Sequence, residues 1–334
     1  MADQISTRKE HSQSTRKEAS TLLRRNLTNW ANVDALEKKV CVYTTGSFGR
    51  DDACKTSDLD TFIISKAESM SNQRLLSGLE EIELAASIIS ANRELGLPEI
   101  DGDGSFLKAH ATNDYLVGLG KPSDDANNTF TGRLLLLLES RPLFGEEVYS
   151  EIIDECIERY WIDYADHQET FIPAFLMNDI LRFWRTLCIN YEAGTDQKPE
   201  KRRAKNYKLK YSRLLTCYSV IIGIQIKLRE TGTVSQDLAR DIVDLRPLDR
   251  IALARDHGAE ANVSSIFEMY EHFLVETDCD KATLYNKMRD VEHYKSTLES
   301  ARKFGDEVFN LITSLSASDE AGSTSWRFLR YITV

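Results

Sequence analysis

The residues best suited to chemistry lie in one stretch, residues 44–64, which reads TTGSFGRDDACKTSDLDTFII. In it, Asp58 and Asp60 stand one residue apart at the start of a β-prone run. Side chains two residues apart in a strand point to the same face, so the two carboxylates can converge. Paired carboxylates suit Mg²⁺, which takes its remaining ligands from water and from substrate phosphates. The acidic pair therefore predicts a magnesium site for a phosphate-bearing substrate.

A glycine-containing turn precedes the acidic pair. Gly46 and Gly49 allow backbone N–H groups to approach a phosphate closely, and the hydroxyl of Ser47 adds a donor. Arg50 is a further candidate for a phosphate contact. Two metal ions about 3.5–4 Å apart could then hold the attacking and leaving oxygens of a phosphoryl displacement.

The elements that position these residues can be read from periodicity. Residues 39–44 and 59–65 are β-prone runs, and the loop acids Asp51 and Asp52 between them are expected to be solvated. Residues 72–94 have helical spacing, and residues 104–110 form a third strand candidate. Beyond residue 126 the apolar period is helical. The pattern predicts a small α/β unit followed by helices.

A Gly-Ser turn, a turn-rich spacer and a D-x-D pair beside β-prone runs resemble the signature of the polymerase-β-like nucleotidyltransferase superfamily. Its members move a nucleoside monophosphate from an NTP to an acceptor. The resemblance covers roughly residues 40–150 and implies an α+β fold, in which a small mixed β-sheet nucleotidyltransferase domain with flanking helices precedes an all-α helical domain. We expect a charged, flexible leader over residues 1–18, the catalytic domain over 19–150, and a helical domain over 151–334 that closes the nucleotide cleft.

The resemblance also implies a third carboxylate, which acts as general base and helps to hold one metal. The stretches DGSFLKAH (103–110) and LLLLLESRPLFGEE (134–147) are similar to the end of the catalytic domain in bacterial nitrogen-regulatory (PII) protein uridylyltransferases. This likeness implies Asp103, rather than Asp101, as the third catalytic and metal-binding residue beside the acidic pair. It also aligns Glu139, Arg141 and Gly145 with a D/E-x-R…G element, in which we expect Glu139 and Arg141 to form a helix-end ion pair. The implied cofactor is two Mg²⁺ ions, which Mn²⁺ can replace.

The chain departs from the uridylyltransferases because it contains no His-Asp dipeptide, the metal-ligand motif of their phosphohydrolase domain. A bifunctional nitrogen sensor with regulatory domains is therefore not expected. Three acceptor classes stay open: a protein tyrosine, a nucleotide or growing oligonucleotide as in signalling and anti-phage enzymes, and a tRNA end or small molecule as in toxin-type and antibiotic-modifying enzymes. Self-modification is a further alternative, for which Tyr207, Tyr211 and Tyr218 are candidates. A nucleotide-binding pseudoenzyme is the non-enzymatic alternative.

The helical half contains a strongly basic segment. Residues 198–213 hold eight Lys or Arg and one acid, a local net charge of +7 in a chain of net charge −11. Members of the resembled superfamily commonly supply cations to the triphosphate from their helical domain. The nucleotide-binding candidates of this segment are Lys208, Lys210, Ser212 and Arg213. Residues 194–203 are expected to form a basic loop with a solvated Lys201, Arg202 and Arg203.

The composition of the chain predicts its cellular compartment and its binding partners. The net charge of −11 argues against a protein whose whole surface binds a phosphate backbone. Three features predict a soluble cytoplasmic protein: six scattered cysteines, an N-terminus without an apolar run, and apolar stretches that are too short for a membrane span. The expected partners are an NTP or dNTP, an acceptor protein or oligonucleotide, and either a second copy of the chain or a protein encoded nearby. Residues 6–18 repeat the word STRKE eight positions apart and are expected to form a solvated, partly helical leader, with an arm that binds a partner or nucleic acid as the alternative. A first helix is expected from about Ala19 to Trp30.

Overall fold

A computed structural model describes residues 3–29, 32–68, 73–100, 104, 107–193, 198–316 and 322–333. The chain divides into two compact units, unit 1 (Met1–Arg159) and unit 2 (Tyr160–Val334). The sequence prediction set the boundary between residues 150 and 151. In the structure one helix, Glu146–Tyr160, runs through that position, and the division falls at its end.

Unit 1 contains a small sheet surrounded by helices. Its strands are β1 (Val40–Thr44), β2 (Thr61–Ser65), β3 (His110–Ala111) and β4 (Arg141–Phe144). Its helices are α1 (Gln4–Leu27), α2 (Val33–Glu37), α3 (Gly46–Arg50), α4 (Gly78–Glu94), α5 (Thr112–Val117), α6 (Pro122–Ala126), α7 (Thr129–Glu139) and α8 (Glu146–Tyr160).

The sheet is mixed and has the strand order β3-β2-β1-β4. Strand β1 pairs antiparallel with both β2 and β4, while β2 pairs parallel with β3. All five residues of β1 are fully buried, as expected for a central strand covered on both faces. The predicted α+β fold, with a small mixed sheet and flanking helices before a helical region, is confirmed.

The edges of the sheet differ from the sequence prediction. Residues 105 and 106 of the strand predicted over 104–110 lie outside the described residues, and among its described residues only His110, the first residue of β3, lies in a strand. Strand β4 was not predicted, because Pro142 lies inside it and proline lowers strand propensity. Proline is tolerated at the edge of a sheet, and β4 is the edge strand next to β1. Its pairing with β1 is irregular at Val42 and Tyr43.

Helix α1 begins at Gln4, fifteen residues before the predicted start. The Asp3 carboxylate caps it by accepting from the Ser6 N–H at 3.2 Å. One face is buried at helical spacing; its residues are Arg8, Ser12, Thr15, Arg16, Ala19, Leu23 and Leu27. The leader is therefore helical, and its lysines and glutamates are exposed, but the prediction that it is solvated is wrong for Arg8 and Arg16, because these arginines continue the buried stripe of the helix.

Unit 2 is built from helices, and its described residues contain no strand. Its α-helices are α9 (Ala174–Ala193), α10 (Pro199–Lys208), α11 (Leu214–Thr231), α12 (Gln236–Asp244), α13 (Pro247–Ala252), α14 (Glu260–Glu276), α15 (Lys281–Arg289), α16 (Val291–Ser314) and α17 (Thr324–Thr333). Between α10 and α11, Leu209–Arg213 forms a π-helical turn, so the two helices are continuous. Such turns are rare and often occur at functional sites.

The basic loop predicted over residues 194–203 is wrong in its second half. Residues 194–197 lie outside the described residues, and α10 begins at Pro199, which fits the first position of a helix because it needs no N–H donor there. Two arginines expected to be solvated make specific contacts. Arg202 donates to Glu192 at 2.8 Å, and Arg203 donates to the carbonyl of Met288 at 2.9 Å.

Among the described residues, no helix is both long enough and apolar enough to cross a bilayer.

Candidate active site

The glycine turn follows β1 directly and takes the form of the short helix α3 rather than an irregular turn. Its first residue, Gly46, has φ +65°, which glycine adopts at little cost. A Cβ atom added to Gly46 would lie 2.5 Å from the Asp60 carboxylate oxygen Oδ2. The positive φ favours glycine at this position, and the backbone of Gly46 lies against that carboxylate.

The acidic pair lies just before β2, whereas the sequence analysis placed it at the start of a β-prone run over residues 59–65. The backbone carbonyl of Asp60 accepts from the Thr45 N–H at 3.0 Å and from the Thr44 hydroxyl at 2.8 Å, which fixes it opposite the end of β1. Leu59 is buried, whereas Asp58 is half-buried and Asp60 is exposed. This alternation is typical of extended backbone. The convergence of both carboxylates on one patch that holds two Mg²⁺ ions stays a prediction.

The other residues of the turn have different surroundings. Ser47 is half-buried, and its carbonyl accepts from the Asp52 N–H at 2.9 Å. A Cβ atom on Gly49 would lie 1.8 Å from the carbonyl oxygen of Glu139. The second glycine is thus required for close packing against the end of α7. Contacts of Ser47 and Gly49 with a phosphate stay predictions.

Glu139, which the sequence analysis assigned to a helix-end ion pair, contacts the glycine turn instead. Its side chain is fully buried, and its Oε1 accepts from the Gly46 N–H at 3.1 Å. Its Oε2 accepts from Arg50 at 2.8 Å. Glu139 therefore binds the turn instead of the expected helix-end partner. It accepts the hydrogen bond of the Gly46 N–H, the group that was predicted to approach a phosphate. The D/E-x-R…G resemblance marked this residue, but gave no reason to connect it with the turn.

Arg50 is held by two carboxylates. It donates to both oxygens of Asp52, at 2.9 and 3.1 Å, as well as to Glu139, and its side chain is only 8% exposed. The expectation that Asp51 and Asp52 are solvated is wrong, since each is 6% exposed. Their charges are balanced by buried arginines. The phosphate contact predicted for Arg50 is untested, and the structure gives this residue a supporting role behind the turn.

Helix α1 supplies the second set of supports. Arg16 pairs with Asp51 at 2.5 Å and also donates to the carbonyl of Phe48. Arg8 donates to the carbonyl of Asp52 at 3.0 Å, and the Ser12 hydroxyl accepts from the Ala53 N–H at 3.1 Å. The loop 48–53, which joins the turn to the acidic pair, is therefore anchored to α1. The repeated STRKE word was the sequence signal for these arginines.

The third carboxylate cannot be placed. Asp103, like Asp101, lies outside the described residues. Within the described residues, no group of three or more His, Cys, Asp or Glu side chains could hold a metal. His110 is half-buried beside Tyr115, and burial lowers the pKa of its imidazole.

The nucleotide-binding candidates of unit 2 lie at the π-helical turn. Lys208 ends α10 and is exposed, Lys210 and Arg213 are half-buried, and Ser212 is buried. The wide turn places these four residues within one short helical segment. Whether they contact a triphosphate is untested.

The tyrosines considered for self-modification are mostly buried. Tyr207 is 2% exposed and Tyr211 is fully buried, with its hydroxyl bonded to Ser300 at 2.8 Å. Both rings pack against Phe273, and burial raises the pKa of both hydroxyls. These contacts argue against Tyr207 and Tyr211 as acceptors. Tyr218 is half-buried and packs edge-on against Trp184.

Comparison with known proteins identifies the segment that contains the turn and the acidic pair. Residues 30–100 match a family described as the nucleotidyltransferase domain. The match supports the polymerase-β-like superfamily and a general nucleotidyl-transfer activity with a nucleotide as substrate. No curated protein matches the chain.

Proposed function

We propose that this protein is a Mg²⁺-dependent nucleotidyltransferase, which moves a nucleoside monophosphate from an NTP or dNTP to an acceptor hydroxyl and releases pyrophosphate. The observation that carries the proposal is the close approach of Gly46 to the Asp60 carboxylate, inside the segment that matches the nucleotidyltransferase domain. This chemistry requires a phosphate-binding turn beside metal-binding carboxylates.

The donor set fits the proposed metal. Mg²⁺ prefers oxygen ligands and is usually held by one or two carboxylates together with substrate phosphates, rather than by a complete protein cage. Asp58 and Asp60 provide two carboxylates next to the turn, and Asp103 is the proposed third. When bound, Mg²⁺ would neutralise phosphate charge and make the α-phosphorus more electrophilic.

The residues of the chain would position the reactants. In the proposed reaction, the acceptor oxygen bonds to the α-phosphorus as the bond from that phosphorus to pyrophosphate breaks, and the proton of the acceptor passes to Asp103. Ser47 would donate its hydroxyl to the phosphates, while Lys208, Lys210, Ser212 and Arg213 would bind the triphosphate. Glu139 and Arg50 would keep the turn in place without contacting substrate. Positioning and charge neutralisation account for most of the acceleration in such transfers.

Two contacts support a catalytic domain of the PII-uridylyltransferase type. Glu139 binds the turn, and Gly145 has φ +65° with its Cβ position only 2.0 Å from the carbonyl of Val40. Both residues belong to the D/E-x-R…G element on which that resemblance rests. We therefore propose a protein tyrosine or a nucleotide as acceptor. Two alternatives differ in their product. One is a signalling or anti-phage enzyme that makes oligomers, and the other is a toxin-type enzyme that modifies tRNA.

The experiment is incubation of the pure protein with each labelled NTP or dNTP and Mg²⁺, followed by gel electrophoresis and thin-layer chromatography. We expect Asp58→Asn and Asp60→Asn each to lower the rate of incorporation at least about 100-fold, because they remove charge while keeping side-chain shape. Asp34→Asn, at an exposed position of α2, is the matched control and should react normally. Unchanged rates in both site variants would refute the proposed function.

A further inference from the structure

Helix α4 carries apolar residues on its exposed side. Leu79, Ile82 and Ala86 follow one another at intervals of three and four residues, and all three are exposed, Leu79 by 74% and Ile82 by 66%. With 3.6 residues per helical turn, these intervals keep the side chains on one narrow face. We refer to these three residues as the α4 face. Adjoining apolar residues that are this exposed indicate an interaction surface.

The opposite side of α4 is the one that packs within unit 1. Its buried residues are Leu84, Ser87, Ile88, Ala91 and Asn92. Leu84 and Ile88 belong to the same apolar core as residues of α1 and β1. The start of the helix is fixed by a capping box between Ser77 and Glu80. The packing and the capping of α4 therefore do not account for the apolar residues of the α4 face.

The charged residues of α4 fall into two groups. Three acids pair with cations of unit 1: Glu80 with Lys39, Glu81 with Arg74 and Glu94 with Arg25. The other two charged residues, Glu83 and Arg93, form no ion pair among the residues that the structure describes. Both adjoin the α4 face, since Glu83 follows Ile82 and Arg93 lies two helical turns beyond Ala86. They are ten residues apart, about 15 Å along the helix, so they cannot pair within it.

We propose that the α4 face binds the α4 face of a second copy of this chain, with the two helices antiparallel. A two-fold axis at Ala86 would place this small side chain against its own copy, which lets the helices approach closely. Leu79 would lie opposite Arg93 of the partner subunit, and Ile82 opposite Ser90 of the partner subunit. The exposed apolar residues of both copies would then be covered.

The two remaining charges fit this antiparallel arrangement. Side chains of a helix lean towards its N-terminus. Arg93 of the partner subunit would therefore lean from the level of Leu79 towards Glu83. Each contact of a two-fold interface occurs twice, so both copies would gain this ion pair. The α4 face thus carries both members of a pair that can form only between copies, and this self-complementarity favours a second copy over a different protein.

The surroundings of the α4 face also set the strength of the dimer and argue against a membrane. One pair of helices of this length buries less than the roughly 800 Å² per partner of a standard interface, so we expect a Kd on the order of 50 μM. Helices that bind bilayers carry Lys and Arg beside their apolar residues. Here the acids Glu80 and Glu83 adjoin Leu79 and Ile82. The proposed dimer does not rest on the proposed function.

The test is sedimentation velocity of the full chain at about 1–300 μM, without nucleotide or Mg²⁺, where the upper concentrations should show a dimer. In the variant Leu79→Ser/Ile82→Ser we expect the Kd to rise at least about tenfold, because both copies lose apolar area from the interface. The matched control, Ile189→Ser/Phe309→Ser, changes two exposed apolar residues of unit 2 and should dimerise like the wild type.

Charge reversal tests the identity of the partner. Glu83→Arg and Arg93→Glu should each raise the Kd about fivefold, because each brings like charges together twice in the dimer. An equimolar mixture of these two variants should form a mixed dimer with the Kd of the wild type, since both contacts again join opposite charges. The double variant Glu83→Arg/Arg93→Glu should recover in the same way.

Four results would overturn the proposal: a monomer at every concentration, equal dimerisation by the Leu79→Ser/Ile82→Ser variant, equal loss in the control, or no recovery in the mixture. Binding of a monomeric chain to phosphatidylglycerol vesicles would assign the α4 face to a membrane instead. Circular dichroism verifies that the variants fold. Because no nucleotide is present, Asp58→Asn should dimerise normally, so a failure of the dimer and a failure of the proposed function are distinguishable.

Discussion

Two basic segments of this chain have similar compositions but different structural fates. Both the repeated STRKE words and residues 194–203 look solvated from sequence. In α1, the arginines of both words are buried and bind the loop 48–53 behind the glycine turn. In α10, the arginines bind neighbouring helices while Lys201 and Lys205 are exposed.

The difference teaches that the type of cation and its helical position decide its role more than the net charge does. Arginine presents a planar fork that can satisfy a carboxylate and a carbonyl together, and it is more weakly hydrated than lysine. Arg16 does so with Asp51 and Phe48. A lysine three or four residues away on the exposed face keeps its charge available to a partner.

The largest effect is expected at Arg16. Arg16→Ala would leave the buried carboxylate of Asp51 without its cation and should destabilise unit 1 by about 3 kcal/mol. Hydrogen exchange of the amides of β1, followed by mass spectrometry, measures this opening free energy. The neighbouring Lys17→Ala is the matched control, because Lys17 is exposed, and it should cost less than about 0.5 kcal/mol.

The same hydrogen-exchange measurement can contradict the distinction between buried arginine and exposed lysine. If Arg16→Ala and Lys17→Ala have equal effects, the buried pair contributes nothing and α1 is merely adjacent to the loop. Arg16→Lys sharpens the result. It keeps the charge but loses the fork, so its cost should lie between those of the other two variants.

A smaller effect is expected within α10. Arg203→Ala removes hydrogen bonds to the carbonyls of Met288 and Arg289 and the contact with the ring of Tyr294. We expect a loss of about 1 kcal/mol from unit 2, measured by urea unfolding with tryptophan emission. Lys205→Ala, two residues away, should leave the unfolding midpoint unchanged. A cost for Lys205→Ala as large as that for Arg203→Ala would mean that Lys205 has a structural role.

The predictable part of the molecule is the part with strong local patterns. The apolar run of β1, the Gly46 turn and the acidic pair are adjacent in sequence, so local chemistry was enough to identify them. The helical period beyond residue 126 likewise predicted the helices of unit 2. These features depend on contacts between residues that are close along the chain.

The missed features depend on long-range contacts. Glu139 meets Gly46 and Arg50 only because β4 returns the chain to β1, and β4 is short and contains proline. The burial of Arg16 requires Asp51, thirty-five residues away. A charged residue reads as solvated until its distant partner is known, which also explains the error at Asp52.

The smallest predicted effect compares two half-buried thiols, one in each unit. Burial raises the pKa of Cys54, but hydrogen bonds with Ser57 and Thr56 and the charge of Arg8 bring it below its ordinary value. Burial raises the pKa of Cys188. Below both pKa values the thiolate fraction is larger at Cys54 than at Cys188. Iodoacetamide should therefore alkylate Cys54 about threefold faster or more at neutral pH, as measured by peptide mass spectrometry. The ratio of the two alkylation rates should fall as the pH rises. Arg8→Gln should also lower this ratio, because it removes the cation that α1 holds near this loop. A ratio that does not depend on pH would show that solvent access, and not charge, separates the two thiols.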